Sequence, residues 1–215
     1  MERLTIIDQI KRNGIVAVIR EANSENIIPI ANALYKGGIK TLEITAETPK
    51  VATLIEKVID EFGDELIVGA GTVLDPETAR VLIMAGSKFV VSPTVNPQTI
   101  KMTKRYGVVS IPGALTPTEI ITAYEHGADM IKVFPANAFG PNYLKSIHGP
   151  FPHIPLMVTG GINLTNMNEY MKKGGIVVGI GSNLVNPNSL NNEEDYQELT
   201  KQAVKYAEKV KEARK

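Results

Sequence analysis

The sequence predicts an α/β protein with a single domain over residues 1–215, a parallel (β/α)8 TIM barrel with an N-terminal helix before its first strand. Short apolar runs alternate with helical patterns eight times along the chain. These runs are almost continuously apolar, as expected for parallel strands that are covered on both faces. Eight βα units in 215 residues favour a closed barrel over an open, doubly wound sheet.

The elements follow one another without a linker or a low-complexity tract. Leu4, Ile7 and Ile10 recur at helical spacing, and Asn13-Gly14 ends this first helix. Ser24 is expected to cap the second helix, which stops at Gly37-Gly38. The predicted strands are 15–19, 41–45, 66–70, 89–92, 108–111, 130–134, 156–159 and 176–180. The later helices are predicted at 49–62, 76–85, 97–105, 117–126, 142–147, 164–173 and, after a loop over 185–194, at 193–213 with the face Tyr196, Leu199, Ala203, Tyr206 and Val210.

Composition narrows the classes of function. The formal net charge is zero and no basic stripe carries interleaved aromatic residues, so nucleic acid is not an expected partner. No apolar run is long enough to span a membrane, and the N-terminus lacks a signal-peptide pattern. The absence of cysteine excludes disulfides and thiolate metal sites and fits a reducing cytoplasm. The histidines have no metal-ligand spacing, and no Walker or dinucleotide fingerprint is present, so neither a metal nor a cofactor is expected.

One lysine stands in an apolar strand. Lys132 lies in the middle of residues 128–135, where an ammonium ion is costly to desolvate. It is either half of a structural ion pair or a nucleophile, since burial favours the neutral, reactive amine.

Strand periodicity predicts which side chains meet Lys132. If Ile131 and Val133 face the helices, Lys132 and Phe134 face the barrel interior. The same argument turns Glu43 inward on the second strand and Arg20 inward at the end of the first. A lysine, a glutamate and an arginine therefore converge on one enclosed volume. The alternative is a buried salt-bridge network, which is weak evidence for stability because desolvation offsets the attraction.

Two glycine-rich strand ends indicate phosphate binding. Thr159-Gly160-Gly161 closes the seventh predicted strand and Gly181-Ser182 closes the eighth. Loops at these places commonly bind phosphate in such barrels, through backbone N–H groups that a side chain would obstruct. Glycines also end strands for turn geometry alone. The ends of the third and fourth strands, with Thr72 and Pro93, are as consistent with tight turns as with ligand contacts.

The residues resemble the 2-keto-3-deoxy-6-phosphogluconate aldolase family, which includes 4-hydroxy-2-oxoglutarate aldolases. The resemblance implies a class I aldolase, usually a homotrimer, that releases pyruvate and glyceraldehyde 3-phosphate. It places the Schiff-base lysine on Lys132, the acid/base glutamate on Glu43 and the pyruvate pocket at Thr72 and Pro93, with the phosphate loops at Gly160-Gly161 and Gly181-Ser182. The matching segments cover most of the chain in family order: 15–20, 42–45, 68–73, 91–93, 111–113, 132–135, 149–152, 159–162 and 178–182.

The sequence departs from the family pattern at several positions. Many members carry a carboxylate-binding arginine where this chain has Glu47, while others have one at the end of the first strand, as Arg20 is here. The carboxylate role is therefore assigned to Arg20. Val158 replaces a frequent proline and Thr94 a frequent glycine, which changes the outline of the pocket.

Two other functions remain open from the residues. A different phosphate-binding barrel, such as an isomerase or a decarboxylase, would use the same glycine loops without an amine nucleophile. A non-catalytic phosphometabolite-binding protein would need neither the lysine nor the glutamate.

Overall fold

A computed structural model describes residues 2–215, which alternate strands and helices as the sequence predicts. The strands are β1 Ile15–Ile19, β2 Thr41–Thr45, β3 Ile67–Gly71, β4 Phe89–Val91, β5 Val109–Ile111, β6 Gly113–Ala114, β7 Ile131–Val133, β8 Leu156–Thr159 and β9 Gly175–Ile180. The α-helices are α1 Glu2–Asn13, α2 Ile27–Lys36, α3 Val51–Phe62, α4 Pro76–Met84, α5 Pro97–Arg105, α6 Pro117–Glu125, α7 Asn142–His148, α8 Met167–Lys172 and α9 Glu193–Ala213. Within the described residues, no helix combines the length and the apolar character needed to cross a membrane.

The strands form one parallel sheet in the order β5-β4-β3-β2-β1-β9-β8-β7-β6. Its two ends are adjacent in sequence, because only Pro112 separates β5 from β6. Pro112 cannot donate a backbone hydrogen bond, which explains the break, but its carbonyl accepts one from the Lys132 N–H at 2.9 Å. The two short strands thus occupy the fifth position of an eight-position barrel, which confirms the (β/α)8 prediction.

Apolar side chains form two cores, one on each face of the sheet. One lies between the sheet and the helices and includes Ile131 and Val133 of β7. The other fills the barrel interior and includes Val16, Phe89 and Met157. On β1, β4 and β8, alternate residues belong to different cores, as the periodicity predicts.

Helix α1 closes the N-terminal mouth of the barrel. Ile7 and Ile10 of this helix are buried in the interior core. Their apolar side chains remove this end of the barrel from solvent. Active sites of this architecture lie at the opposite end, beyond the carboxyl ends of the strands.

Helices α2 and α8 begin later than predicted, for the same reason. Ser24 does not cap α2, which starts at Ile27 with Asn26 as its N-cap. The Asn23 carbonyl oxygen Oδ1 accepts bonds from the N–H groups of Glu25 and Asn26, at 2.8 and 3.1 Å. An equivalent turn begins at Asn163 and delays α8 to Met167. In both places the asparagine bonds its own following backbone and competes with the first helical turn.

The long C-terminal helix packs against α2. Its buried residues are Leu199, Ala203, Tyr206 and Val210, the predicted face apart from the half-buried Tyr196. A Cβ atom at Gly37 would lie 2.3 Å from that of Ala203, so the two helices approach closely there.

Candidate active site

Lys132 and Glu43 meet inside the barrel. Lys132 lies on β7 and Glu43 on β2, and their side chains are 2% and 0% exposed. The distance from Lys132 Nζ to Glu43 Oε1 is 3.9 Å, which is within ion-pair range but too long for a hydrogen bond. The Phe134 ring lies over the ammonium group, with Nζ 5.1 Å from its centroid. The alternation of side chains along the strands therefore predicted correctly that these three side chains share the barrel interior.

The Glu43 carboxylate has unused hydrogen-bonding capacity. Both of its oxygens are buried without a hydrogen-bond partner among the described residues. A buried carboxylate in this state is costly, and structural charges normally acquire partners. The arrangement leaves both oxygens available to a ligand that enters the barrel.

Gly71 at the end of β3 makes room for that carboxylate. A Cβ atom at this position would lie 2.0 Å from Glu43 Oε1 and 2.5 Å from its Cδ. Only glycine is therefore compatible with the observed position of Glu43. Sequence reasoning missed this role, because one sequence does not reveal which side chain packs against a glycine.

The glycine-rich strand ends line a cavity of about 170 Å³. Gly160 and Gly161 have φ angles of 104° and 71°, in the region that favours glycine. Phe134 lines this cavity and also covers Lys132, so the cavity and the buried lysine share a wall. The remaining lining residues are Val18, Arg20, Thr159, Ile162, Gly179, Gly181, Ser182 and Asn183.

Thr159 contributes a second orphaned group. Thr159 is 8% exposed, and its hydroxyl oxygen Oγ1 is buried without a hydrogen-bond partner among the described residues. Gly179 on β9 accommodates it, since a Cβ there would lie 2.3 Å from Oγ1. The structure therefore places a free hydroxyl in the wall of the cavity.

Arg20 lies at the cavity rim and not within the enclosed interior. Its side chain is 46% exposed, so the expectation that it would be enclosed with Lys132 and Glu43 is wrong. It follows the last residue of β1, where the barrel opens to solvent. Its Nη1 bonds the carboxylate of Glu47, a contact that the sequence did not predict.

The remaining predicted residues also lie at this end of the barrel. Thr72 follows β3 with φ 54°, a rare conformation for a β-branched residue, and its Oγ1 accepts from Arg20 Nη1 at 3.4 Å. Pro93 is half-buried after β4. A Cβ at Gly113 would lie 2.4 Å from the Pro93 carbonyl carbon, so β6 packs closely on this turn. Ser182 is exposed after β9, beside Gly181.

Comparison with known proteins identifies the family. A family profile described as "KDPG and KHG aldolase" matches residues 6–202. The chain belongs to this aldolase family.

Individual family members are similar over most of their lengths. The chain is 32% identical to 2-dehydro-3-deoxy-6-phosphogalactonate aldolase of Escherichia coli K12, covering 79% of this chain and 83% of that one. It is 39% identical to 2-dehydro-3-deoxy-phosphogluconate aldolase of Pseudomonas aeruginosa, and the match covers 73% of this chain and 70% of that one. The structure of a Legionella pneumophila KDPG aldolase, with pyruvate captured as a covalent carbinolamine, matches with a TM-score of 0.83 at 32% identity and covers 89% and 92%.

The family member described here offers no assembled metal site in residues 2–215, since no three His, Cys, Asp or Glu side chains are grouped to hold an ion. Its reactive groups are an amine, a carboxylate, hydroxyls and backbone N–H groups. These groups can supply nucleophilic and acid–base chemistry.

Proposed function

We propose that this protein is a class I aldolase that cleaves 2-keto-3-deoxy-6-phosphogluconate to pyruvate and glyceraldehyde 3-phosphate. The observation that carries the proposal is a buried lysine amine beside a carboxylate without hydrogen-bond partners, inside the barrel. Membership of the aldolase family supports it. The isomerase, decarboxylase and non-catalytic alternatives are not favoured, because none of them needs this amine.

Lys132 is proposed to attack the C2 carbonyl of the substrate. Addition gives a carbinolamine, and Glu43 protonates its departing hydroxyl, so that one water leaves and a protonated imine forms. Glu43 then removes the proton of the C4 hydroxyl, and the C3–C4 electron pair moves into the imine. This releases glyceraldehyde 3-phosphate and leaves an enamine on Lys132. Glu43 returns a proton to C3, and addition of water to the imine releases pyruvate and the free amine.

The other predicted residues are proposed to hold the substrate. Arg20 binds the carboxylate at the rim, and the free hydroxyl of Thr159 faces the same cavity. Backbone N–H groups of the glycine loops bind the phosphate, since a cavity lined by glycines lets an anion approach the main chain. The residues assigned to binding are Arg20, Thr72, Pro93, Phe134, Thr159, Gly160, Gly161, Gly181 and Ser182.

Borohydride trapping tests the nucleophile. Pyruvate and reductant together should add a stable three-carbon adduct to Lys132, which peptide mass spectrometry can locate. Reductant alone, and the Lys132→Met variant with both reagents, are the matched controls. An adduct on a different lysine, or none in the wild type, would refute the assignment.

The substrate's configuration at C4 needs a separate comparison. Relatives include enzymes named for the phosphogalactonate and for the phosphogluconate compound, at similar identity. Cleavage rates should be compared for both C4 epimers and for 4-hydroxy-2-oxoglutarate. We expect the phosphogluconate derivative to give the highest kcat/KM, and a preference for another acid would change the substrate without changing the reaction.

We further propose that the enzyme is a cytoplasmic homotrimer. The absence of cysteine is consistent with a reducing compartment. Large apolar side chains are exposed on and just before α4, where Leu74, Val81 and Met84 are 55%, 57% and 61% exposed, and such patches favour self-association. Light scattering coupled to size-exclusion chromatography should give three times the 23.4 kDa chain mass.

A further inference from the structure

Arg20 already has an anionic partner before any substrate binds. Its Nη1 bonds the Glu47 carboxylate, and the Thr72 hydroxyl lies 3.4 Å from the same nitrogen. Glu47 follows β2, the strand that carries Glu43, by only two residues. The pair therefore lies just beyond the end of the strand that carries the proposed proton-transfer group.

This contact changes the charge of the cavity rim. Among the described residues that line the cavity, Arg20 is the only lysine or arginine. Its positive charge is compensated by Glu47, so an incoming carboxylate does not meet an unpaired cation. An incoming anion can form an ion pair with Arg20 without competition only if it displaces the Glu47 carboxylate.

The geometry points to Glu47 as a displaceable counter-ion of Arg20, which holds the guanidinium at the rim and is exchanged for the carboxylate of the 2-keto acid. In this role Glu47 positions Arg20 and lowers the affinity of the site for its anionic substrate. The inference rests on the proposed function, in which Arg20 binds that carboxylate.

The solvent exposure of the pair makes this exchange feasible. The two side chains are 46% and 43% exposed, and ion pairs at such positions contribute little because water and salt compete for both charges. The substrate carboxylate would be tethered through the imine at Lys132, which raises its effective concentration near Arg20. The Glu47 carboxylate is held near Arg20 only by its own flexible side chain.

The backbone fixes where Arg20 leaves the strand. Glu21, the next residue, has φ 58°, and its N–H donates to Thr48 Oγ1 at 3.3 Å. Thr72, on the other side of the guanidinium, has φ 54°. Non-glycine residues in this region are strained and cluster at functional sites. The rim therefore constrains the backbone around Arg20, while the exposed Glu47 contact remains free to open.

Pyruvate affinity of a Glu47→Gln variant tests the inference. Glutamine keeps the shape and an acceptor oxygen but removes the competing charge. We expect the pyruvate concentration for half-maximal borohydride trapping to fall about two- to fivefold, the scale of one exposed ion pair. The effect should shrink at high salt and disappear in an Arg20→Ala background. Glu21→Gln is the matched control, since that carboxylate bonds Asn188 at 2.7 Å and should leave pyruvate affinity unchanged.

Three results would overturn the inference. The first is a pyruvate affinity in Glu47→Gln that is unchanged or weaker, and the second is a gain in pyruvate affinity that persists in the Arg20→Ala background. The third is a gain in affinity only for the phosphorylated aldehyde, measured in the condensation direction. Calorimetric titration of pyruvate into Lys132→Met, with and without Glu47→Gln, measures the charge competition at Arg20 without the contribution of the imine tether. A failure of the proposed aldolase chemistry would abolish trapping in the wild type but leave this calorimetric comparison decisive for Glu47.

Discussion

Replacing Gly71 by alanine should misplace Glu43 while leaving the Lys132 amine intact. The new methyl group would lie 2.0 Å from Glu43 Oε1, whereas ordinary contacts begin near 3.4 Å, so one of the two must move by about 1.4 Å. If the carboxylate moves, its present distance of 3.9 Å from Lys132 Nζ is lost. Misplacement of a catalytic group by ~1 Å can cost about 10²-fold in rate. Overpacking of this kind also destabilises a fold by about 1–3 kcal/mol.

Exchange of the methyl protons of pyruvate for deuterium, followed by NMR, measures this effect because it needs the imine and a base but no aldehyde. We expect Gly71→Ala to slow exchange about 10²-fold while borohydride still places an adduct on Lys132. Gly69→Ala is the control on the same strand, since its methyl group would lie 2.5 Å from the Phe89 ring. It should lose comparable stability in denaturant but retain much faster exchange. Equal exchange rates in the two variants would refute the reasoning.

Two further predictions concern the proposed phosphate loop and a helix cap. Gly161→Val should raise KM for the phosphorylated substrate about tenfold or more while sparing imine formation with pyruvate. The reason is that Gly161 has φ 71° and a Cβ atom there would lie 2.9 Å from the Cβ atom of Asn137. Equal losses in both assays would show that the loop has a structural role only. Asp75 caps α4 by accepting the Thr78 N–H at 2.6 Å, which lowers the pKa of its carboxyl group, so Asp75→Ala should cost about 1 kcal/mol at neutral pH. A carboxyl group whose pKa is lower in the folded than in the unfolded protein stabilises the fold above its unfolded-state pKa, and this contribution is lost as the pH falls through its folded-state pKa. The unfolding midpoints of the wild type and Asp75→Ala should therefore converge in strong acid. A difference that stays constant with pH would contradict this prediction.

Periodicity predicted the enclosed part of the site, and it failed where the chain leaves the strands. Lys132 and Glu43 could be paired from sequence because each stands among apolar residues on a strand, where alternation fixes the face. Arg20 lies one residue beyond β1, and alternation no longer constrains its exposure. Its bond to Glu47 joins two loops that are distant in sequence, so no local pattern contains it. The same limit explains Ser24, where a neighbouring asparagine captured the backbone N–H groups that a cap would have used.

The orphaned oxygens of Glu43 bear on whether the carboxylate serves stability or chemistry. A structural partner for Lys132 would be expected at hydrogen-bond distance, with its second oxygen also satisfied. Instead the nearest approach is 3.9 Å, and neither oxygen has a hydrogen-bond partner within the described part of the chain. This geometry differs from that of a completed structural ion pair and leaves both oxygens of Glu43 able to accept hydrogen bonds.

Glu43→Gln separates these two roles. If Glu43 exists to neutralise Lys132, the variant leaves a buried, unpaired ammonium and should lose about 3–5 kcal/mol of unfolding free energy. If Glu43 is the general acid/base, the glutamine keeps the shape but cannot carry protons, so the fold should survive with a turnover lower by about 10²–10⁴-fold. Denaturant unfolding measures the first quantity, and deuterium exchange at the methyl group of pyruvate measures the second. We expect the catalytic outcome, and a variant that exchanges these protons at the wild-type rate would show that Glu43 is not the base.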